Sequence, residues 1–332
     1  MLAFAMAGCG PGSGTQPEYE LTGSAMGTTW SVTVARLPED VNRFALREEL
    51  ESLLVTTELA LSTYRPESEL SRFNASRSTD WVGVPVELCT IIDVALGISE
   101  MTGGAFDVTV GPLVNLWGFG PDGSISVPPT DEQVSSAMQA TGYEKLHADC
   151  DRPALKKDWP ELYVDLSAFA KGYTVDKLAH VLDARGVGDY LVEIGGELKA
   201  RGHNARGTDW AIAIEEPRLS GRAVQTIVGL TDNGMATSGD YRNFFRHADR
   251  LYSHTIDPRS GAPVAHDGAS VTVIADSTGF ADAMATALLV LGPDTGVEFA
   301  DRHDIAAYFL VRSGDGLDER RSERFAAEVS VL

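Results

Sequence analysis

The sequence predicts an α+β fold on three observations. Its β-rich runs cluster, instead of alternating strictly with helices as a doubly wound sheet requires. Segments with a 3.6-residue apolar period are bounded by recognisable caps and stand apart from those runs. The composition, 43% hydrophobic and 23% charged over 332 residues, is that of a globular chain with ample core, enough for one large domain or two.

In chain order, Thr28 to Ala35 alternates like a strand. Val41 to Leu61 carries helix formers with apolar residues every three or four positions. A helix is expected from Pro85 to Met101, with proline in its first turn and Gly103-Gly104 ending it. Thr130-Asp-Glu-Gln133 fits a capping box opening a short helix towards Thr141. Lys171 to Arg185 reads as a helix stopped at Gly186. Strands are expected at Leu162–Asp165, Tyr190–Ile194, Trp210–Ile214, Val224–Leu230, Ser270–Ile274 and Ala306–Val311.

Net charge is −21, from 27 Lys+Arg against 48 Asp+Glu, which argues against a non-specific grip on nucleic acid or anionic lipid. No apolar run reaches the 18 residues that a membrane-spanning helix needs. The start is unusual: small apolar residues run to Gly8, Cys9 follows, and residues 10–17 are a flexible tether by composition. Met6-Ala-Gly-Cys9 resembles the end of a bacterial lipoprotein signal, although Met stands where Leu is usual and no basic region precedes it. Residues 1–17 are therefore expected to be a residual lipoprotein signal and tether, or a plain tail, and 18–332 the functional domain. A lipidated Cys9 would hold the protein on a membrane facing the periplasm or exterior. Cys89, in an expected helix, is most simply a buried small hydrophobe, and a disulfide with Cys150 is possible but not deducible.

Three stretches carry candidate chemistry. Asp282 and Thr286 lie four apart at the start of an apolar helix, so a carboxylate and a hydroxyl share one face, a pair that suits Mg²⁺ or Ca²⁺. Caps or solvated positions are the commoner role for such residues. In Val164-Asp-Leu-Ser-Ala-Phe-Ala-Lys-Gly172 a strand passes through a polar turn into a helix. Free N–H groups and Lys171 could hold a phosphate there, or Asp165 and Ser167 could simply cap. His254, in the polar turn Ser253 to Pro263, is a candidate general base or a surface residue. The usual nucleotide fingerprints, G-x-x-x-x-G-K-S/T and G-x-G-x-x-G after a strand, are absent.

Seven blocks occur in order: Met26-Gly-Thr28; Ser62-Thr-Tyr64 with Ser68 to Asn74; Gly104 to Gly120; Asp165 to Gly172; Glu193-Ile-Gly-Gly-Glu197; His254-Thr-Ile-Asp-Pro258; and Asp282-Ala-Met-Ala-Thr286. Together they closely resemble the ApbE family of FAD:protein FMN transferases, from about Tyr19 onward. The resemblance implies mixed, largely antiparallel sheets with packed helices, a T-fold-like architecture. It also implies Mg²⁺-dependent transfer of the FMN half of FAD onto a threonine hydroxyl of an acceptor protein, with release of AMP. That acceptor would carry a threonine flavinylation motif and belong to a membrane redox complex.

By position, the resemblance implies that Met26, Tyr64, Ala105, Phe106, Asp107, Asp165, Lys171 and Ile256 line the FAD site. The Ala168 carbonyl and the Asp282 and Thr286 side chains would hold the metal, and His254 would take the threonine proton. Some members have a further Asp directly before that threonine, where this chain has Ala285. Two other readings stand beside this one. One is a periplasmic hydrolase of FAD giving FMN and AMP, and the other a flavin-binding lipoprotein without catalysis.

Overall fold

The computed structural model describes residues 18–332 apart from 122, 249 and 315. The lipoprotein-like start and Cys9 lie outside the described residues. The chain opens with the hairpin β1 (Tyr19–Ala25) and β2 (Thr28–Val34), then α1 (Arg43–Leu61) and α2 (Glu69–Ala75). Next come β3 (Val82–Gly83), α3 (Val86–Met101), α4 (Gly111–Leu116), α5 (Asp131–Gln139), β4 (Leu146–Asp149), β5 (Ala154–Lys157) and α6 (Ala170–Ala184). A β-rich stretch follows: β6 (Tyr190–Ile194), β7 (Glu197–Arg201), β8 (Trp210–Glu215), β9 (Val224–Leu230), β10 (Gly234–Gly239), β11 (Phe244–His247), β12 (Arg250–Ser253), β13 (Ile256–Asp257), β14 (Ala262–Pro263) and β15 (Gly268–Ala275). The chain closes with α7 (Thr278–Leu291), α8 (Pro293–Arg302), β16 (Ala306–Ser313), β17 (Gly316–Arg321) and α9 (Glu323–Glu328).

Eight strands form one sheet in the order β1-β2-β6-β7-β10-β15-β16-β17, with every neighbouring pair antiparallel. Period-two alternation sends its side chains to two cores. In β16, Ala307, Phe309 and Val311 face the helices, whereas Ala306, Tyr308 and Leu310 face the other layer. That second layer is the β8–β9 hairpin with Phe325 of α9, built from Trp210, Ile212, Ile214, Val228 and Leu230. Each of these large side chains, taken fully out of water, contributes about 2 kcal/mol. This is the predicted α+β class.

The helical layer positions the site. Asn42 caps α1 by accepting from the Phe44 and Ala45 amides, and Leu46, Leu50 and Leu54 form its inward stripe against β1, β2 and α6. The predicted capping box is present at Thr130 and Gln133. α6 ends at Gly186, whose φ of 72° favours glycine. α7 is almost wholly buried; Ser277 caps it from within, and Asp176 of α6 accepts from the Thr278 and Gly279 amides. Where the two helices meet at Gly172, an added Cβ would lie 2.9 Å from Asp282 Cβ and closer still to the Thr278 carbonyl.

Two expectations are corrected. Leu162–Asp165 is extended but not a strand: its backbone partners are the Asn74 side chain, at 2.8 Å to both the N–H and C=O of Val164, and the Val108 carbonyl. The block from Gly104 to Gly120 contains the short helix α4. Cys89 is buried but not a free hydrophobe; it is disulfide-bonded to Cys150, 61 residues on. No described helix is long and apolar enough to cross a membrane.

Candidate active site

A cavity of about 590 Å³, within the size range of small-molecule sites, lies between the start of α6, the β6–β7 turn, α7 and the segment joining β10 to β13. Its charged floor comes from three elements. Lys171 Nζ in the first turn of α6 is 3.4 Å from Glu197 Oε1 of β7 and 4.0 Å from Asp282 Oδ2 of α7. Asp282 also accepts from the Gly172 amide at 3.1 Å, which sets a carboxylate at the positive end of α6. Burial works against the Lys171 charge, but the carboxylates of Asp282 and Glu197 outweigh it and hold the ammonium firmly protonated. Burial likewise pushes the Asp282 and Glu197 carboxyls up, with Lys171 opposing.

Burial disfavours charge on both carboxyls, and a cation beside them would favour their ionised forms. Glu197 Oε2 is buried without a hydrogen-bond partner, an unsatisfied acceptor of the kind a cation would complete. One turn along α7, Thr286 Oγ1 pairs with Ser238 Oγ at 2.9 Å, and both residues line the cavity. The β6–β7 turn reaches this floor on two glycines: Gly195 and Gly196 have φ of 60° and 111°, and a Cβ at Gly195 would meet Thr28 at 2.8 Å.

A second wall is made by residues 105–119 with Asp165. Asp107 is nearly inaccessible: Oδ1 accepts from the Thr109 amide and hydroxyl, and Oδ2 from the Tyr143 amide, both oxygens thus fastening this wall. Burial raises its pKa against those bonds. Asp165 accepts from the Ser167 amide and donates its own N–H to the Val108 carbonyl, joining the wall to the α6 start. Tyr64 is 65% exposed at the cavity, its ring face open to a flat partner.

His254 closes the opposite side. Its Nδ1 lies 3.1 Å from the Asn243 carbonyl, which can only accept, so Nδ1 carries the proton and Nε2 keeps its lone pair. Its own backbone N–H donates to the same carbonyl at 3.0 Å, and Phe119 packs edge-on at 6.3 Å. Burial lowers the His254 pKa, Lys171 adds to this, and the Asn243 bond opposes it; the imidazole is therefore neutral at neutral pH. A neutral imidazole with a fixed tautomer is poised to take a proton.

The fold thus brings Tyr64, Ala105, Phe106, Asp107, Asp165, Ala168, Lys171, His254, Ile256, Asp282 and Thr286 around one cavity. Met26 stands apart. It is not among the lining residues; its amide donates to Glu58, its side chain packs into the core, and Thr28 lines the cavity instead. Spacing alone missed Ser238, Asn243, Arg222 and Arg242, all of which line the cavity. Asn243 acts through its main chain and leaves no signal in residue type. Glu197 was visible as an acid directly after a strand and a Gly-Gly turn.

The ApbE family matches residues 26–309. An FAD:protein FMN transferase of Vibrio cholerae is 42% identical over 308 residues, 93% of this chain and 92% of its own length. The solved flavin transferase ApbE of that organism matches with a TM-score of 0.86 at 42% identity, covering 94% of this chain and 99% of its own. The apo flavinyl transferase ApbE of Pseudomonas stutzeri also gives 0.86, at 41% identity over 94% and 96% of the two chains. In sequence and in fold, this chain belongs to the ApbE family.

Proposed function

We propose that this chain, a flavin transferase by family, moves the FMN half of FAD onto a threonine hydroxyl of an acceptor protein with Mg²⁺ present, releasing AMP. The observation that carries this reading is the placement of a tautomer-fixed neutral His254 on the same cavity as Lys171, Thr286 and the buried Asp282. Mere retention of a flavin needs neither a base nor a charged floor.

The threonine hydroxyl attacks the phosphorus of the FMN half, in line with the bridging oxygen. Its proton passes to His254 Nε2, the new Thr O–P bond forms, and the P–O bond to AMP breaks, with AMP carrying away the electron pair. Lys171 places a permanent cation beside the pyrophosphate. Tyr64 offers a ring face for the adenine or the flavin.

The donor set fits a hard cation. Among the described residues no three His, Cys, Asp or Glu side chains cluster as a metal cage. Mg²⁺ suits such a site, since it commonly takes one or two protein oxygens and completes its shell from phosphates and water. Asp282, Thr286 and the Ala168 carbonyl would hold it, with the unpartnered Glu197 close by. Bound there, Mg²⁺ would offset negative charge on the pyrophosphate.

The Cys89–Cys150 disulfide suits an oxidising compartment and so supports a location outside the cytoplasm; the proposal that Cys9 anchors the protein there rests on the lipoprotein-like residues around it. The test is to incubate the protein with FAD, Mg²⁺ and an acceptor domain. Intact mass should show one FMN added to the acceptor, an equal amount of AMP should appear, and EDTA should abolish both. AMP without a mass gain would assign hydrolysis instead, and intact FAD would leave a binding protein.

A further inference from the structure

Two arginines also line the cavity, Arg222 in the turn between β8 and β9 and Arg242 just before β11. Their side chains are 48% and 46% exposed, and both converge on one carboxylate, Glu215. Arg242 is ion-paired with it, while Arg222 Nε stands 3.7 Å away, beyond hydrogen-bond reach. The nearest acid in sequence, Asp240, is committed to Arg312 through bonds of 2.8 and 2.6 Å. Among the described residues Glu215 is the carboxylate that both guanidinium forks approach within 4 Å, while Arg242 also stands over the Tyr241 ring at 5.4 Å and Glu193 acts on Arg222 from further off. In a chain of net charge −21, two arginines side by side on the cavity wall are a local exception.

Position gives it meaning. Arg242 directly precedes Asn243, whose carbonyl fixes the His254 tautomer, so the pair lies along the approach to the base. In the transferase reading the pyrophosphate is served by Lys171 and the start of α6, which line the same cavity.

We propose that Arg222 and Arg242 form a specificity clamp for the acceptor protein, binding an Asp or Glu carboxylate close in sequence to the hydroxyl that receives FMN. The clamp rests on the transferase reading above. A guanidinium pair takes a carboxylate through parallel charge-assisted bonds, which fixes orientation as well as charge. Glu215 keeps the two forks oriented in the free enzyme, and the acceptor carboxylate supplies a second partner. Acceptors without that acid would bind weakly, in keeping with the role of charge complementarity in partner choice.

The test uses the full chain, FAD, Mg²⁺ and an acceptor domain on which the wild-type enzyme forms the FMN adduct. Arg222→Gln/Arg242→Gln should raise the acceptor KM at least tenfold while the KM for FAD moves less than about twofold. Replacing the acids flanking the acceptor residue by their amides should reproduce that loss with wild-type enzyme and add little to it with the double variant. An unchanged acceptor KM would overturn the clamp while leaving the transferase reading intact. A rise in the FAD KM alone would assign the arginines to the nucleotide and also overturn it. Failure of wild-type enzyme to modify any acceptor would remove both readings together.

Discussion

The floor of the cavity and its hairpin wall are built by opposite means. Lys171, Asp282 and Thr286 stand on two helices packed so closely that only glycine fits at position 172, and Asp176 ties one helix to the start of the other. His254, Asn243 and Arg242 stand on the segment from β10 to β13, where the strands are two to four residues long outside the main sheet. That wall is held by the ring stack of Trp117, Phe245 and Tyr252, with Phe119 against His254. Electrostatic preorganisation demands a rigid floor, since fixed charges gain their effect by not rearranging. A wall that meets a second macromolecule gains from shallower packing that can adapt. Damage to the floor should therefore show first as lost stability, and damage to the wall as lost transfer.

The largest effect is expected behind the floor. The Cys89–Cys150 disulfide closes a 61-residue separation that contains α4, α5 and the 105–119 wall. Cys89→Ser/Cys150→Ser should cost about 4 kcal/mol in chemical denaturation, read against the oxidised wild type. Gly172→Ala comes next: the helices must part, at about 3 kcal/mol, with a clear fall in Tm. A Tm unchanged by this substitution would break the contrast at its strongest point.

For the wall, Phe119→Leu removes the edge contact to His254 at a stability cost of about 1 kcal/mol, yet should slow transfer several-fold at saturating FAD. Equal losses in both variants would erase the distinction. The smallest effect is in the pH profile. A protonated imidazole cannot accept the threonine proton, so the rate falls as pH drops through the folded pKa of His254. Burial holds that pKa below its ordinary 6.5. The midpoint of the fall in transfer rate should then lie below pH 6.5. A midpoint at or above pH 6.5 would contradict the downward shift.

The same contrast explains what the sequence disclosed. Floor residues sit at helix spacings, so the four-residue interval alone puts Asp282 and Thr286 on one face, and the turn into α6 is readable from Asp165 to Gly172. The α+β class followed from the clustered strands, and the eight-strand order then rested on pairings such as β7 with β10 that no local pattern encodes. Wall residues were legible mainly through the family blocks. Asn243 works through its carbonyl, Arg222 and Arg242 are brought together from separate loops, and Leu162–Asp165 looks like a strand because the Asn74 side chain satisfies it as a strand would. Cys89 and Cys150 carried no pairing signal, because a 61-residue separation leaves their distance open.

The most direct test of the division between floor and wall is a paired measurement on His254→Gln: FAD affinity by flavin fluorescence, and single-turnover FMN transfer with saturating Mg²⁺. FAD affinity close to wild type with transfer slowed at least about a hundredfold is the predicted result. Transfer within about threefold of wild type would contradict it, and the proton would then have to leave by a route that avoids this histidine.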